Sequence, residues 1–263
     1  VKGVIYWDNG IVVKNEPRPT IKNLDIIKFP ARELLPDLSS YTHTAYRGRE
    51  GELTTTLITS RGCPFTCTFC DQSIFGRTWR MHSADYVFSE IKLLKEKFGV
   101  KFITIEDDNF SLYKPRVEDI CNKIIDNSLD IKWASSGRVN NLDERLLRIM
   151  KKAGCETIYL GLESGSPRIL KLIQKKISKE EVNEGIKKIT RCGLKVVGSF
   201  IFGIPSETEE EMEQTVSFAL SLPLDGASFF IFTPYPNTEL RDKAFQYGKV
   251  SKNWQDYSGH PST

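Results

Sequence analysis

From residue 52 to residue 233, segments with the composition of β-strands alternate with segments of helical periodicity. The strand-like runs are apolar at consecutive positions, which is typical of strands buried on both faces. Strands of this kind form parallel sheets covered by crossover helices, and such crossovers are right-handed. The alternation therefore predicts an α/β fold.

Strands are predicted at 53–60, 101–107, 130–136, 156–163, 195–203 and 226–233, and helices at 82–98, 115–127, 142–154, 167–191 and 206–222. Asp143 and Ser206 are predicted helix N-caps, and Gly154 and Gly193 are predicted to end helices. Six units are too few to close an eight-stranded barrel. We therefore expect an open, partial parallel (β/α)6 barrel of the TIM-barrel type, with its chemistry at the carboxyl ends of the strands.

The first 51 residues do not share this period. Residues 1–15 are rich in Val, Ile, Tyr and Trp and contain an Asn-Gly dipeptide at positions 9 and 10, which predicts a hairpin. We interpret them as the end of a truncated upstream domain. Residues 16–51 carry four prolines and are predicted to form an extended linker. The barrel is assigned to 52–240 and the start of a truncated C-terminal extension to 241–263.

Charge and hydropathy narrow the functional classes. Lys and Arg number 37 against 34 Asp and Glu, and the two signs are interspersed along the chain. Nucleic-acid binding therefore has no support from charge. No apolar stretch approaches the ~20 residues that span a bilayer, and no signal-peptide pattern opens the chain. We expect a cytoplasmic protein without a membrane span, acting on a small molecule that the sequence does not identify.

The stretch "CPFTCTFC" places Cys63, Cys67 and Cys70 within eight residues, directly after the first predicted strand. The other three cysteines lie far apart in predicted helices and strands, so a disulfide framework is not expected. Thiolates bind soft metals, and short spacings let their sulfurs converge on one centre. The cysteine loop is therefore a candidate metal site.

The residues alone leave three kinds of site open. A structural zinc would need a fourth ligand, for which His82 is a candidate. An electron-transfer cluster would use four cysteines, but Cys121 follows Cys70 only after fifty-one residues, in a predicted helix. A 4Fe-4S cluster with three protein thiolates would keep one iron open for a small ligand.

The spacing C-x-x-x-C-x-x-C, with Phe69 before the last cysteine and a first strand before the loop, resembles the radical S-adenosylmethionine (SAM) superfamily. The resemblance extends from about residue 20 onward. It implies that the three cysteines bind a 4Fe-4S cluster and that SAM chelates the open iron. It also implies reductive cleavage of SAM to a 5′-deoxyadenosyl radical, with an electron from a reductant such as flavodoxin or ferredoxin.

The resemblance assigns SAM contacts to polar residues after the strands and to the aromatic of the cysteine motif; no catalytic residue is assigned. The positions are Phe69, Glu106, Asp107, Ser136, Arg138, Glu163, Ser164, Lys175 and Ser199. Glu106 and Asp107 resemble the element that approaches the SAM amino group, although Asp107 and Asp108 suit a cap of the turn before Pro115 equally well. Lys175 equally suits a solvated cation at a helix end.

Two of these assignments come from longer segments. "GLESGSP" at 161–167 resembles the family's polar contacts to the methionine and ribose parts of SAM, made here by Glu163 and Ser164. "GSFIFGIP" at 198–205 resembles the strand segment that lies along the adenine. Nearby aromatic residues are predicted to be core or, alternatively, the wall of an apolar substrate site; they are Phe229, Phe230, Phe232 and Tyr235.

The linker segment 23–36 resembles the bridge of cobalamin-dependent radical SAM enzymes. This implies that residues 1–15 end a cobalamin-binding domain, that cobalamin is a third cofactor, and that the reaction is a methyl transfer or a cyclisation. tRNA methylthiotransferases carry a similar linker and remain an alternative.

Overall fold

The fold was described from a computed structural model, in which residues 1–41 and 51–257 are described. The part of the predicted linker at 42–50 and the end of the predicted extension at 258–263 lie outside the described residues.

Strands and helices alternate as the sequence predicts. The strands are β1 (Ile5–Asp8), β2 (Ile11–Lys14), β3 (Thr54–Leu57), β4 (Ser60–Arg61), β5 (Arg80–Met81), β6 (Phe102–Ile105), β7 (Lys132–Gly137), β8 (Cys155–Glu163), β9 (Lys195–Phe202) and β10 (Gly226–Ile231). The helices are α1 (Ala84–Phe98), α2 (Lys114–Asp126), α3 (Glu144–Lys152), α4 (Pro167–Leu172), α5 (Lys179–Arg191), α6 (Glu209–Ser221) and α7 (Glu239–Ala244). None of these helices combines the length and the apolar character needed to cross a bilayer.

Six of the strands form one parallel sheet in the order β10-β9-β8-β7-β6-β3. The order follows the chain without a reversal, so the sheet curls in one direction. Among the described residues β3 and β10 do not pair with each other, which leaves the barrel open. The predicted open, partial (β/α)6 barrel is therefore confirmed.

The sheet has two different faces. Its outer face packs against the helices in a core that contains Ile105, Ile158 and Leu160, each at most 1% exposed. Its inner, concave face holds a small cluster of Phe102, Ala134 and Tyr159. Tyr159, in the middle of β8, lies between this cluster and a cavity toward the carboxyl ends of the strands.

The segment before the barrel is fastened to α1. Arg32 forms an ion pair of 2.7 Å with Glu90, and both side chains are at most 9% exposed. The Tyr86 hydroxyl donates to the Ile27 carbonyl at 2.9 Å. Within the predicted linker the chain forms three short 3-10 turns, at Leu24–Ile26, Arg32–Leu34 and Leu38–Tyr41. This part of the linker is therefore packed in a defined conformation.

Two predicted helix features are wrong. The predicted helix at 167–191 is broken into α4 and α5, and Gln174 and Lys176 have left-handed backbones, each with φ of 53°. Ser206 also has a positive φ and does not cap α6; Thr208 does, in a capping box with Glu211. Helical propensity does not report the tertiary contacts that interrupt a helix, which accounts for the first error. The second arises because Ser206 and Thr208 each precede a glutamate by three positions, so the local capping pattern fits both.

The three other residues predicted to begin or end helices are confirmed. The Asp143 side chain accepts a hydrogen bond from the Leu146 amide at 2.9 Å and caps α3. Gly154 and Gly193 follow α3 and α5 with φ of 93° and 75°, conformations that are strained for other residues.

Candidate functional site

A cavity of about 390 Å³ lies where the cysteine loop meets the carboxyl ends of the parallel strands. It is lined, among others, by Cys63, Cys67, Phe69, Cys70, Asp108, Ser136, Arg138, Glu163, Lys175 and Ser199. The fold therefore brings together nine of the twelve predicted site residues, which are spread over more than 130 positions of the sequence, and adds Asp108 to them.

The cysteine loop is held at both ends and in the middle. Strands β4 and β5 pair on either side of it and close its base. The Thr68 amide donates to the Ile173 carbonyl at 3.1 Å, and the Thr68 carbonyl accepts from the Leu240 amide at 3.0 Å. The Gln72 side chain donates to the carbonyls of Cys63 (3.3 Å) and Phe65 (2.8 Å). The sequence offers no signal for Gln72, because its partners are backbone atoms.

The three thiols of this loop differ from the other cysteines. Cys121, Cys155 and Cys192 are buried, whereas the loop cysteines are half-buried or exposed and line the cavity. Burial raises the pKa of the Cys63 thiol, and burial together with its neighbouring cysteines raises the pKa of Cys70 to about 11. Both thiols are therefore protonated near neutral pH in the metal-free protein, and metal binding releases their protons.

The donor set suits a cluster of several irons better than one ion. Among residues 1–41 and 51–257, no three His, Cys, Asp or Glu side chains are arranged to bind one metal ion. In a 4Fe-4S cluster each thiolate binds a different iron, so the sulfurs need not meet at one point. His82, the candidate fourth zinc ligand, does not line the cavity; its Nδ1 lies 3.2 Å from Asp25 Oδ1, and its ring stacks on Tyr86. The zinc interpretation thus loses its fourth ligand.

Arg138 places a buried cation beside the thiols. Its Nη1 lies 3.8 Å from the Cys67 sulfur, and its guanidinium carbon lies 3.9 Å from the centre of the Phe65 ring. It also donates to the Lys175 carbonyl. Arg138 is 7% exposed, so its charge is little screened by water and favours negative charge on the sulfur ligands.

Lys175 and Glu163 form a buried ion pair on the cavity wall. Lys175 Nζ lies 2.6 Å from Glu163 Oε1, and the two side chains are 9% and 7% exposed. A Cβ at Gly161 would lie 2.3 Å from Glu163 Oε1 and 2.8 Å from Lys175 Nζ, so a side chain there would displace the pair from its present position. Glu163 has φ of 65°, and the register of β8 shifts beside it. Lys175 is therefore not a solvated helix-end cation.

Three predicted positions do not line the cavity. Asp107 Oδ1 accepts from the amides of Thr59 (2.5 Å) and Ser60 (3.0 Å), and Oδ2 accepts from both hydroxyls. This carboxylate therefore caps the turn between β3 and β4, and not the turn before Pro115 that the alternative interpretation assigns to it. Glu106 is half-buried and also outside the lining. Asp108 lines the cavity instead. Burial raises the pKa of its carboxyl group, and a hydrogen bond from the Gly62 amide offsets part of this rise.

Ser164 is the third predicted site residue that does not line the cavity. It is fully buried, and its hydroxyl lies 3.1 Å from the Thr215 hydroxyl and accepts from the Ser166 amide. Its side chain holds the loop between β8 and α4.

A second cavity of about 210 Å³ adjoins the first and shares Phe69 and Glu163 with it. Ile201 and three of the predicted aromatic residues, Phe230, Phe232 and Tyr235, complete most of its wall. Phe229 points to the other face of β10, where it stacks with Phe200 and Phe202 at 5.2 Å. The aromatic residues are thus divided between a cavity wall and the outer surface of the sheet, because neighbouring strand residues face opposite sides.

Comparison with known proteins agrees with this geometry. The family model of the radical SAM superfamily matches residues 57–219. An uncharacterized methyltransferase of Pyrococcus horikoshii is 42% identical over 98% of this chain and 55% of its own length. The anaerobic magnesium-protoporphyrin IX monomethyl ester cyclase of Cereibacter sphaeroides is 30% identical over 95% of this chain and 42% of its own length. The chain thus spans about half the length of these relatives.

A solved structure gives the same result for the fold. The cobalamin-dependent SAM radical enzyme OxsB, with aqua-cobalamin and SAM bound, matches with a TM-score of 0.70 and 22% identity. The match covers 94% of this chain and 36% of that one.

Proposed function

Because the chain belongs to the radical SAM superfamily, we propose that it is the catalytic barrel, at 52–240, of a cobalamin-associated methyltransferase or cyclase. Membership implies a 4Fe-4S cluster and SAM as cofactors, which supply one-electron cleavage of the sulfonium and hydrogen abstraction. The observation that carries the proposal is the meeting of three accessible thiols with a buried Lys–Glu pair in one cavity. The substrate is an unidentified small molecule.

In this proposal Cys63, Cys67 and Cys70 hold the cluster. Gln72 and the hydrogen bonds of Thr68 keep the loop in place, so the three sulfurs are presented together. A buried cation at a cluster sulfur stabilises the negative charge that the cluster gains on reduction, and Arg138 occupies that position.

SAM would lie across the two adjoining cavities. Lys175 and Arg138 carry positive charges suited to its carboxylate, and Asp108 and Glu163 carry negative charges suited to its ammonium and ribose hydroxyls. Ser136, near the end of β7, and Ser199, in the middle of β9, add hydroxyls to the same wall. The second cavity, with Phe69 and Ile201 in its wall, offers an apolar surface suited to the adenine ring.

The cobalamin part of the proposal rests on the linker and the relatives. Contacts of Asp25, Ile27 and Arg32 with α1 and its N-cap fix the point at which the chain reaches the barrel. The hairpin of β1 and β2 exposes Ile5, Trp7 and Ile11 by 60% or more, an apolar surface of the kind that packs against another domain. We propose that residues 1–15 belong to such a domain and that it carries cobalamin. A one-electron protein such as flavodoxin or ferredoxin would reduce the cluster in the cytoplasm, where thiols stay reduced.

The test is an electron paramagnetic resonance spectrum of the anaerobically reconstituted, reduced protein, with and without SAM. A 4Fe-4S signal that shifts with SAM supports an open iron that takes SAM as its ligand. A cluster signal indifferent to SAM would contradict the proposal and favour electron transfer. The upstream coding sequence tests the branch, because a second cluster-binding cysteine set there would indicate a methylthiotransferase.

A further inference from the structure

A groove of about 490 Å³ lies on the outer side of the loop that joins α4 and α5, separate from the two cavities described above. Its floor includes Pro167, Leu170 and Ile177. Lysines at three positions, Lys171, Lys176 and Lys179, also line it. An apolar centre with a charged rim is the usual anatomy of a protein-protein interface.

One short segment, residues 173–178, contributes to the groove and is also hydrogen-bonded to the cysteine loop. The carbonyl of Ile173 accepts the amide of Thr68, which stands between Cys67 and Cys70. Lys175 points inward to Glu163, while its neighbour Lys176 is exposed. Two hydrogen bonds, from the Thr68 amide to the Ile173 carbonyl and from the Thr68 hydroxyl to the Leu172 carbonyl at 3.4 Å, therefore connect this stretch of backbone to the cysteine loop, which gives an electron a short route through covalent and hydrogen bonds.

The backbone of this segment is strained. Gln174 and Lys176, on either side of the buried Lys175, both have φ of 53°, a conformation that is uncommon outside glycine. Strain of this kind persists where the surrounding contacts over-determine it, and it clusters at functional sites. The segment thus presents Lys175 to the cavity and Lys176 to the groove at the same time.

Charge defines the kind of partner. Glu180 is the one carboxylate in the described lining of the groove, against three lysines, and no salt bridge of the described residues involves Lys171 or Lys176. The adjoining groove between α5 and α6 is acidic, with Glu210 and Glu213. An acidic partner would therefore be attracted to the α4–α5 loop and repelled from α6.

We propose that this groove docks an acidic one-electron carrier protein, the reductant of the cluster. The inference rests on the proposed function, since it requires a cluster at the three cysteines. One electron leaves the reduced carrier, which is oxidised by one unit, and the cluster gains it; no bond forms or breaks and no proton is transferred. The lysines steer the carrier, and the apolar floor seats it within reach of the cysteine loop.

The test compares two reductants on the full-length holoenzyme. In stopped-flow experiments the loss of cluster absorbance is followed with reduced flavodoxin as the acidic carrier and with dithionite as the small reductant. For K171E/K176E the flavodoxin rate constant is expected to fall about tenfold, because two attractive charges become repulsive. The difference should shrink as salt is raised. The dithionite rate is expected to stay the same.

Two control variants keep the result specific. K151E/K152E makes the same change in overall charge on exposed lysines at the end of α3, which leads into the amino end of β8 at the opposite end of the barrel from the cysteine loop, and should leave the flavodoxin rate near its original value. E213K removes an acidic neighbour and should raise the rate about twofold. Equal rates for K171E/K176E and K151E/K152E, or equal slowing with both reductants, would overturn the docking surface. Failure of dithionite to reduce any cluster in the unmodified protein would instead overturn the proposed function.

Discussion

Lys175 Nζ lies 2.6 Å from Glu163 Oε1 in a buried ion pair that forms part of the wall between the cysteine loop and β8. The partners come from different elements, since Glu163 ends β8 with a left-handed backbone and Lys175 lies in the break between α4 and α5. Gly161 leaves the space for both side chains. The pair therefore contributes both to the wall of the cavity and to the charges that line it.

Removing one member of this pair should cost stability and SAM binding together. K175M leaves the Glu163 carboxylate buried without its cation, which is expected to lower the free energy of unfolding by about 3 kcal/mol. K175M/E163L removes both charges and should recover much of that loss. Urea unfolding of the single and double variants measures the coupling.

SAM binding separates the two roles of the pair. Both K175M and K175M/E163L should bind SAM at least about tenfold more weakly, because the charged groups proposed to contact it are gone. Equilibrium dialysis of the cluster-loaded proteins checks this. Unchanged affinity in the double variant would show that the pair is structural alone.

Loss of one loop thiol should abolish the cluster. C67A removes one of three iron ligands, and we expect less than about a tenth of the iron and of the visible absorbance after anaerobic reconstitution. C192A is the matched control, since Cys192 is a cysteine that lies outside the cavity. Full four-iron content in C67A would contradict the ligand assignment.

Gly62, directly before Cys63, should tolerate no side chain. It has φ of 84°, and a Cβ there would lie 2.2 Å from the Thr78 carbonyl oxygen, so G62A requires the base of the cysteine loop to move. We expect a loss of about 3 kcal/mol together with poor cluster retention. Gly203 has φ of 75° with open space around it, so G203A should lose only about 1 kcal/mol. Equal losses in thermal or urea unfolding would show that backbone conformation alone accounts for the effect.

Glu211 should make stability depend on pH in the acid range. Hydrogen bonds from Arg168 are the main cause that lowers its pKa from 4.5 to about 2, and Ser166 donates to it as well. A folded-state pKa below the unfolded value gives stability that is complete above pH 4.5 and is lost as the pH falls toward 2. E211Q should therefore be less stable by about 2 kcal/mol at neutral pH, with a difference that shrinks below pH 4.5.

Urea unfolding at a series of pH values measures this difference. E213Q serves as the control, because Glu213 is exposed on the same helix and forms no salt bridge within the described residues. Its effect should stay within about 0.5 kcal/mol at all pH values. A constant deficit of E211Q from neutral to acid pH would show that its charge is not what stabilises the fold.

Local patterns carried the prediction of the fold. Apolar periodicity, the caps at Asp143 and the glycines after α3 and α5 depend on residues that are close in sequence, so they can be recognised without coordinates. The cysteine loop belongs to the same class, because three thiols within eight residues must lie together in any fold.

The sequence by itself determined the open α/β barrel, the three clustered thiols and the family, since each is encoded in short-range patterns. The tertiary structure alone decided that Asp108 and not Asp107 faces the cavity, that Lys175 is buried, and that the helix at 167–191 breaks. These outcomes depend on partners 12 to 48 residues away, such as Glu163 for Lys175 and Thr59 for Asp107. The energy of each arrangement depends on how deeply these side chains are buried and on which charges lie beside them, and both are defined only in the folded chain.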